Sequence, residues 1–538
     1  KQKYETLTIK REGFVTASKP SFGLMNGTTT DPTVGGYIWS YVGAFFRLNY
    51  GYKGKYLAEV SGRYDGSSKF PTNSKWGFFP SASVAWRVSE EPWMKWSEEW
   101  LDNAKIRLSA GSMGNGNVSP YSYTSEMTVS TADDIVLGGS YPSYTSVGST
   151  VPVSLTWEKS TTYDLGLDLD FLNNRLSFSG DYYRRYTTDM YTASVALPAV
   201  YGTGSPKGNN AEMKTDGWEL SLSWRDSFKL GGKPFDYSIK AMVWDNRTVV
   251  TKYENATRSL GTLKGYIQNG GSPSDFYEGM ELGEMWGYTV AGLFRDQADI
   301  DSSATHDFTQ ASDKVTRPGQ VKIADLDHNG NIDPGAFTAD DHGDLSIIGN
   351  INPHYMFGVN LAANWNGIGL SVFLQGVMKR DWYPSPDSGY FWGKYARPFM
   401  WVLGIHNYTD DMYSKEKNNW DTAYWPRMTT YQSNSSYSWT KLLEIPNTRY
   451  KQNAAYLRVK NIQVDYTFPK ALCQKIRLGG LKIYLSGENL FTFTPLHKYA
   501  PNFDPEALGY DTDFSSTAGD GYTYPVLKSV TLGVNITF

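Results

Sequence analysis

The sequence predicts an all-β fold, a transmembrane antiparallel β-barrel, on three observations. Apolar and polar residues alternate in repeated segments, the last such segment closes the chain on an aromatic, and aromatic residues exceed what a soluble core uses. From Leu527 onward, Val530, Leu532, Val534, Ile536 and Phe538 fall on one face of an extended chain. Ser529, Thr531, Gly533, Asn535 and Thr537 fall on the other. Alternate side chains of a strand point to opposite faces of its sheet, and about ten residues carry a tilted strand across a bilayer. A strand of this kind ending on Phe538 reads as a barrel strand whose apolar face meets lipid.

In chain order the alternation recurs in residues 56–64, 82–88, 163–171, 218–225, 235–243, 355–365, 370–374, 462–468 and 481–485. Tyr163, Leu165, Leu167, Leu169 and Phe171 oppose Asp164, Gly166, Asp168 and Asp170, and Trp218, Leu220, Leu222 and Trp224 oppose Glu219, Ser221, Ser223 and Arg225. Asp164, Asp168, Glu219 and Arg225 therefore read as lining of a polar interior. Between Leu457/Val459 and Ile462/Val464 the parity slips at Lys460 and Asn461, which predicts a β-bulge. Roughly fourteen to sixteen such segments are expected at the length of membrane strands. Gly111-Ser-Met-Gly-Asn-Gly116 resembles a phosphate loop but has no helix after it, so it reads as a turn between strands.

Aromatic residues make up 15% of the chain, with 39 Tyr and 18 Trp. Rings with one polar end suit a membrane interface, where they form the girdles of outer-membrane barrels. The mean hydropathy is negative and there is no apolar run of about 18 residues or more, which excludes a bundle of membrane helices. A large soluble all-β protein also alternates, but its strands are usually nearer five or six residues. The net charge of -4 and the lack of a basic tract give no sign of nucleic-acid binding, and one cysteine, Cys473, makes no internal disulfide. The opening KQKYETLTIKREGFV has no apolar signal-peptide core. Either processing removed one or the chain is the later part of a longer polypeptide.

The most specific motif is Asp325, Asp327, Asn329, Gly330, Asn331 and Asp333, in the order of the first nine positions of a calcium loop. Calcium takes about six to eight oxygen ligands, Gly330 permits the sharp turn, and Asn331 stands where the backbone carbonyl is used. The twelfth position is Ala336 rather than an acid. Asp340, Asp341 and Asp344 follow, so a lengthened loop closed by Asp344 is expected, with calcium in a structural role. The alternative is an acidic turn without metal.

Residues 318–327, Pro-Gly-Gln-Val-Lys-Ile-Ala-Asp-Leu-Asp, and 344–353, Asp-Leu-Ser-Ile-Ile-Gly-Asn-Ile-Asn-Pro, resemble the PGDIKYxDxNGDG and DRxIIGNPxP blocks of SusC/RagA-type TonB-dependent transporters. Collinear matches follow at 62–70, 76–81, 157–161, 171–176 into 181–183, 456–461 and 487–491, so the resemblance covers nearly the whole chain. It places Asp344 where the family has its terminal acidic ligand. It implies a plugged barrel of roughly 22 strands in the outer membrane of a Bacteroidota-like bacterium. It further implies a SusD-like surface lipoprotein as lid, energy from TonB, import of oligosaccharides or in some members oligopeptides, and a possible dimer of such pairs. Neither plug motifs nor a TonB box are found. The expectation is therefore the C-terminal part of such a barrel, with an N-terminal plug and first strands supplied by other residues or a separate chain, because open strand edges are not tolerated in lipid.

Sugars offer hydroxyls and flat C–H faces, so Trp382, Tyr383, Tyr390, Phe391, Trp392, Arg397, Phe399 and Trp401 are candidates for ligand or lid contact. Packing within a folded loop is the alternative. The loops 253–277 and 387–450 are further candidates for the lid interface. No catalytic residue is expected. The rival readings are a passive porin, a secreted calcium-binding β-sandwich glycosidase, for which no distinguished carboxylate pair stands out, and a metal-dependent adhesin.

Overall fold

The computed structural model describes residues 1–10, 33–124, 127–132, 134–148, 151, 155–193, 207–260, 276–306, 316–384, 391, 411–427, 446–508 and 526–538. Long alternating segments become thirteen strands of one sheet. They are β1 (Tyr41–Tyr52), β2 (Tyr56–Ser67), β3 (Trp76–Arg87), β4 (Leu101–Asn115), β5 (Glu158–Phe171), β6 (Leu176–Ala193), β7 (Lys207–Leu230), β8 (Lys233–Lys252), β9 (His354–Trp365), β10 (Ile368–Lys379), β11 (Tyr456–Thr467), β12 (Gly480–Phe493) and β13 (Ser529–Thr537). Each strand pairs with the next in sequence, from β1 at one edge to β13 at the other. Among the described residues the sheet thus has thirteen strands, fewer than the roughly fourteen to sixteen segments of membrane length expected, and five further two-stranded sheets are built from shorter strands.

The chain forms two compact units, one of residues 1–84, 109–163 and 185–212, the other of 85–108, 164–184 and 213–538. In the first, Phe70, Phe79, Leu155 and Trp157 form a small buried core. The Trp157 indole Nε1–H donates to Lys75 O at 3.2 Å, which satisfies its one polar atom. The run 111–116 is not the turn expected: Gly111 to Asn115 belong to β4. A Cβ at Gly114 would lie 2.0 Å from the Phe79 ring, so the glycine makes room for that ring inside a strand.

In the second unit the register lines up apolar side chains row by row. Ile368 stands opposite Tyr466, Tyr466 opposite Ile483, and Ile483 opposite Val534. The next row is Leu370, Val464, Leu485 and Leu532. All eight are exposed. A soluble sheet buries such rows, whereas a membrane strand turns them to lipid. The predicted bulge is present: against β10 the pairing passes from Val459 to Asn461, leaving Lys460 as the extra residue.

The connections of this unit alternate in kind. Gly231–Gly232 and Asn366–Gly367 make tight turns with positive φ, and the helix α1 (Lys470–Lys475) joins β11 to β12. Long connections, 253–353, 380–455 and 494–528, join the strands at their opposite ends. These long connections build their own core, in which Tyr288, Leu345, Tyr383, Trp425, Tyr450 and Leu496 are fully buried. The Tyr424 and Tyr499 rings stack at 3.6 Å, and Trp425 stacks on Tyr450 at 5.6 Å. Two of the ring hydroxyls here are satisfied locally: the Asn447 amide donates to the Tyr383 hydroxyl at 2.7 Å and the Gln452 amide to the Tyr424 hydroxyl at 2.9 Å.

Candidate metal site and ion-paired wall

The acidic loop is shaped by short side chains that fold back onto its own backbone. Asp327 Oδ1 accepts from Asn329 N at 3.0 Å, Asn329 Oδ1 from Asn331 N at 2.7 Å, and Asp325 Oδ2 from Gly330 N at 3.0 Å. Such Asx turns hold a chain in a tight curl, and Gly330, at φ +83°, takes a conformation open to glycine. Ile332 is buried in the loop core and anchors the curl from below. Thr305 clamps it from the side, donating to Gly330 O and accepting from Ile332 N.

Asp344 closes the loop. Its Oδ1 accepts from Leu326 N at 2.6 Å, its Oδ2 from Asp333 N at 2.9 Å, and its own amide donates to Asp333 O at 2.9 Å. Side-chain oxygens of Asp325, Asp327 and Asp344 all lie within 4.8 Å of one another. Burial pushes the Asp344 carboxyl above its ordinary value, and the charges of Asp327 and Asp325 push the same way against its two backbone hydrogen bonds. Asp325 Oδ1 is buried and accepts no hydrogen bond among the described residues. Converging carboxylates with a buried lone pair left over form an all-oxygen donor set suited to a hard divalent cation such as calcium. Asn329 and Asp333 sit differently: the Asn329 amide nitrogen faces Asp327 and Asp333, and Asp333 Oδ1 accepts from Gly335 N. Asn331 lies in the same curl, bridged to Thr305.

Of the aromatic candidates, Trp382, Tyr383 and Phe391 are buried in the loop core rather than presented to a ligand. Trp382 packs on Phe503 at 4.9 Å, and Phe391 on Trp425 at 5.4 Å. A run of aromatic side chains reads alike in sequence whether its rings pack inward or stand free. Tyr390, Trp392, Arg397, Phe399 and Trp401 lie outside the described residues, as does most of 387–450.

The polar face of the strands is cross-linked. Arg107 grips Asp168 with two bonds of 2.8 and 3.0 Å, reaches Asp181 at 2.9 Å, and Ser179 donates to Asp168 at 2.9 Å. Arg225 instead closes a turn, donating from Nε to Asn174 O at 2.8 Å. The sequence reading missed a stronger cluster. Arg458, 2% exposed, lies between Asp504 at 2.5 Å and Glu506 at 2.7 Å, while bulged Lys460 meets Glu506 at 2.7 Å and the Tyr456 hydroxyl donates to it. The bulge at Lys460 was the one sequence signal that marked it. A cavity of about 780 Å³ at the long-loop ends of β8, β9 and β10 carries further pairs, His354 with Asp245, Arg247 with Glu281 and Lys451 with Asp381.

Comparison with known proteins gives a consistent answer. The chain is 28% identical over 508 residues to TonB-dependent receptor P3 of Formosa agariphila, covering 92% of this chain and 45% of the relative. It is 26% identical over 513 residues to TonB-dependent receptor SusC of Bacteroides thetaiotaomicron, covering 92% and 44% respectively. The chain thus spans about half the length of the curated relatives it matches. Among solved structures, that of the RagAB peptide transporter superposes with a TM-score of 0.70 at 20% identity, covering all of this chain and 52% of the other, which places the fold. The family model for the TonB dependent receptor-like β-barrel matches residues 10–490. With its lipid-facing rows, its chain-order sheet and that match across most of its length, the chain belongs to the TonB-dependent receptor β-barrel family.

Proposed function

We propose that this chain forms barrel wall and outer loops of an outer-membrane importer of SusC/RagA type in a Bacteroidota-like bacterium. It takes oligosaccharide from a SusD-like lipoprotein lid and is driven by TonB through a plug domain contributed by other residues. The observation that carries the reading is the family match over residues 10–490 on a sheet whose exposed rows are apolar. The loop core gives the long connections a fixed shape, as a docking face for a lid requires, and the cross-linked polar face stiffens a wall that moves cargo. The family is one of receptors and transporters rather than enzymes. Oligopeptide cargo is the second reading, favoured by the likeness of the fold to the RagAB peptide transporter.

The test is purification of the protein from detergent-solubilised outer membrane. Mass spectrometry of what stays bound, and uptake of labelled oligosaccharide and peptide libraries by cells with and without the gene, complete it. A co-purifying surface lipoprotein and TonB-dependent uptake of glycan support the reading. Uptake of peptide alone replaces the cargo, and a water-soluble, lipid-free chain overturns it.

Asp325, Asp327 and Asp344 are further proposed to hold a calcium ion whose role is to stiffen the loop. Bound cation would neutralise three converging carboxylates and occupy the orphaned Asp325 oxygen. Terbium luminescence competed by calcium tests this, and an unchanged signal in Asp325→Asn would refute it.

A further inference from the structure

The connection between β11 and β12 carries an unusual surface. Helix α1 is capped at its end by Ile476, and Leu472 and Ile476, four residues apart and so on one helical face, are 47% and 56% exposed. Cys473, beside Leu472 in the helix, is buried, its Sγ directed at Phe468 O. Within two residues of the exposed pair in sequence lie Lys470, Lys475 and Arg477, all exposed and none making an ion pair among the described residues. Lys482 nearby is already paired with Asp465 at 3.0 Å. Two exposed aliphatic side chains in one short connection with three cations that form no ion pair among the described residues make a pattern that a hydrated surface does not call for.

The position of the helix explains the pattern. Phe468 N donates to Leu481 O at 2.9 Å and Gly479 N to Thr537 O at 2.7 Å, so the helix is pinned to the ends of β11, β12 and β13. The apolar rows that end there run through Tyr466, Leu481 and Ile483 to Ile536, and chain-terminal Phe538 is 94% exposed beside them. The helix therefore sits just past the last residues of a lipid-facing surface, at the level where hydrocarbon gives way to headgroups. Aliphatic side chains dipping into that boundary with cations beside them are how short helices lie on anionic lipid.

We propose that α1 with Arg477 is a docking site for anionic phospholipid headgroups on the short-turn side of the membrane. Leu472 and Ile476 enter the acyl boundary, while Lys470, Lys475 and Arg477 contact headgroup phosphates. Each cation close to an anionic surface favours it by roughly fivefold. Replacing three of them removes most of a lipid preference while leaving the apolar contacts in place. The inference rests on the membrane placement of the barrel and adds a lipid class to it.

The test uses the purified outer-membrane protein in nanodiscs, with bimane attached at Leu472→Cys; the native thiol, Cys473, is buried, and unsubstituted protein gives the labelling blank. A second label at Leu485→Cys, on the apolar row, reports whether the barrel lies in the bilayer. Brominated phosphatidylglycerol is expected to quench the label at 472 several-fold more than brominated phosphatidylcholine. That preference falls to parity in Lys470→Gln/Lys475→Gln/Arg477→Gln and persists in Lys470→Arg/Lys475→Arg/Arg477→Lys. Equal quenching by both lipids overturns the headgroup site, as does quenching by aqueous iodide instead, or shielding from lipid and iodide alike by a protein partner. In each of those cases the label at 485 is still quenched by lipid. If the label at 485 is not quenched, the membrane placement itself fails.

Discussion

Replacing Asp344 by alanine tests how the acidic loop is held, independently of any cation. The carboxylate accepts from two backbone amides, Leu326 at 2.6 Å and Asp333 at 2.9 Å, which belong to opposite limbs of the loop. Loss of a charged acceptor in a buried place costs about 1–3 kcal/mol for each amide left unpaired, so about 2–6 kcal/mol of local stability for the two. Relief of the repulsion from Asp325 and Asp327 offsets part of this and favours the lower end. Asp344→Asn keeps one acceptor oxygen and should lose about half as much. The loss is local, so the assay is amide hydrogen exchange over 325–344 in chelator, where about 1.4 kcal/mol corresponds to a tenfold change in rate. The alanine variant should exchange roughly thirtyfold faster or more, with asparagine between it and the parent. Unchanged exchange at Leu326 and Asp333 would mean that Asp344 does not close the loop.

Arg458→Met leaves Asp504 and Glu506 without the guanidinium between them, and breaking a buried pair from one side costs about 3–5 kcal/mol; segment 494–508 should become readily cleaved by protease while the barrel still migrates as folded. Burial holds His306 down to about 4, with Nδ1–H donating to Ala304 O and Nε2 accepting from Ile323 N. The folded state therefore prefers the neutral ring, and its contribution, at most about 3 kcal/mol, is full above pH 6.5 and lost as pH falls toward 4; His306→Gln should flatten local exchange over that window. Gly319→Ala should destabilise the turn that precedes the acidic loop, since φ is +83° there and the new Cβ would lie 2.1 Å from the Tyr413 ring. An unchanged protease pattern at 316–324 would contradict the last of these.

The wall was legible in the sequence because a membrane strand must alternate along its whole length, as Tyr163 to Phe171 and Val530 to Phe538 do. The bulge at Lys460 could be read for the same reason, since one extra residue inverts the alternation. Strand β4 was harder: its glycines looked like a turn because the side chains that need their space, Phe79 at Gly114 and Ser81 at Gly111, come from another strand. Asp325 and Asp327 of the acidic loop showed through local spacing, and the family blocks pointed to Asp344. The loop core gave no local sign. Trp382 and Phe391 are chosen by Phe503 and Trp425, partners far along the chain, and no periodicity reports on such contacts. Arg458 was hidden in the same way, because both its carboxylates lie beyond the following strand.

The core of the long connections bears on how the molecule is made. Trp382 needs Phe503, Tyr424 needs Tyr499, and Tyr288 hydrogen-bonds through its backbone to Pro446. Strands can zip in sequence order, each onto the one before, but these rings find their partners only after later connections have crossed to the same side. During biogenesis the earlier loops therefore wait, with aromatic surface bare, for the final hairpin to arrive. Contacts so distant in sequence are slow to close and prone to mispairing meanwhile. The loop core can therefore be complete only once residues 494–508, which carry Phe503 and Tyr499, have been added to it.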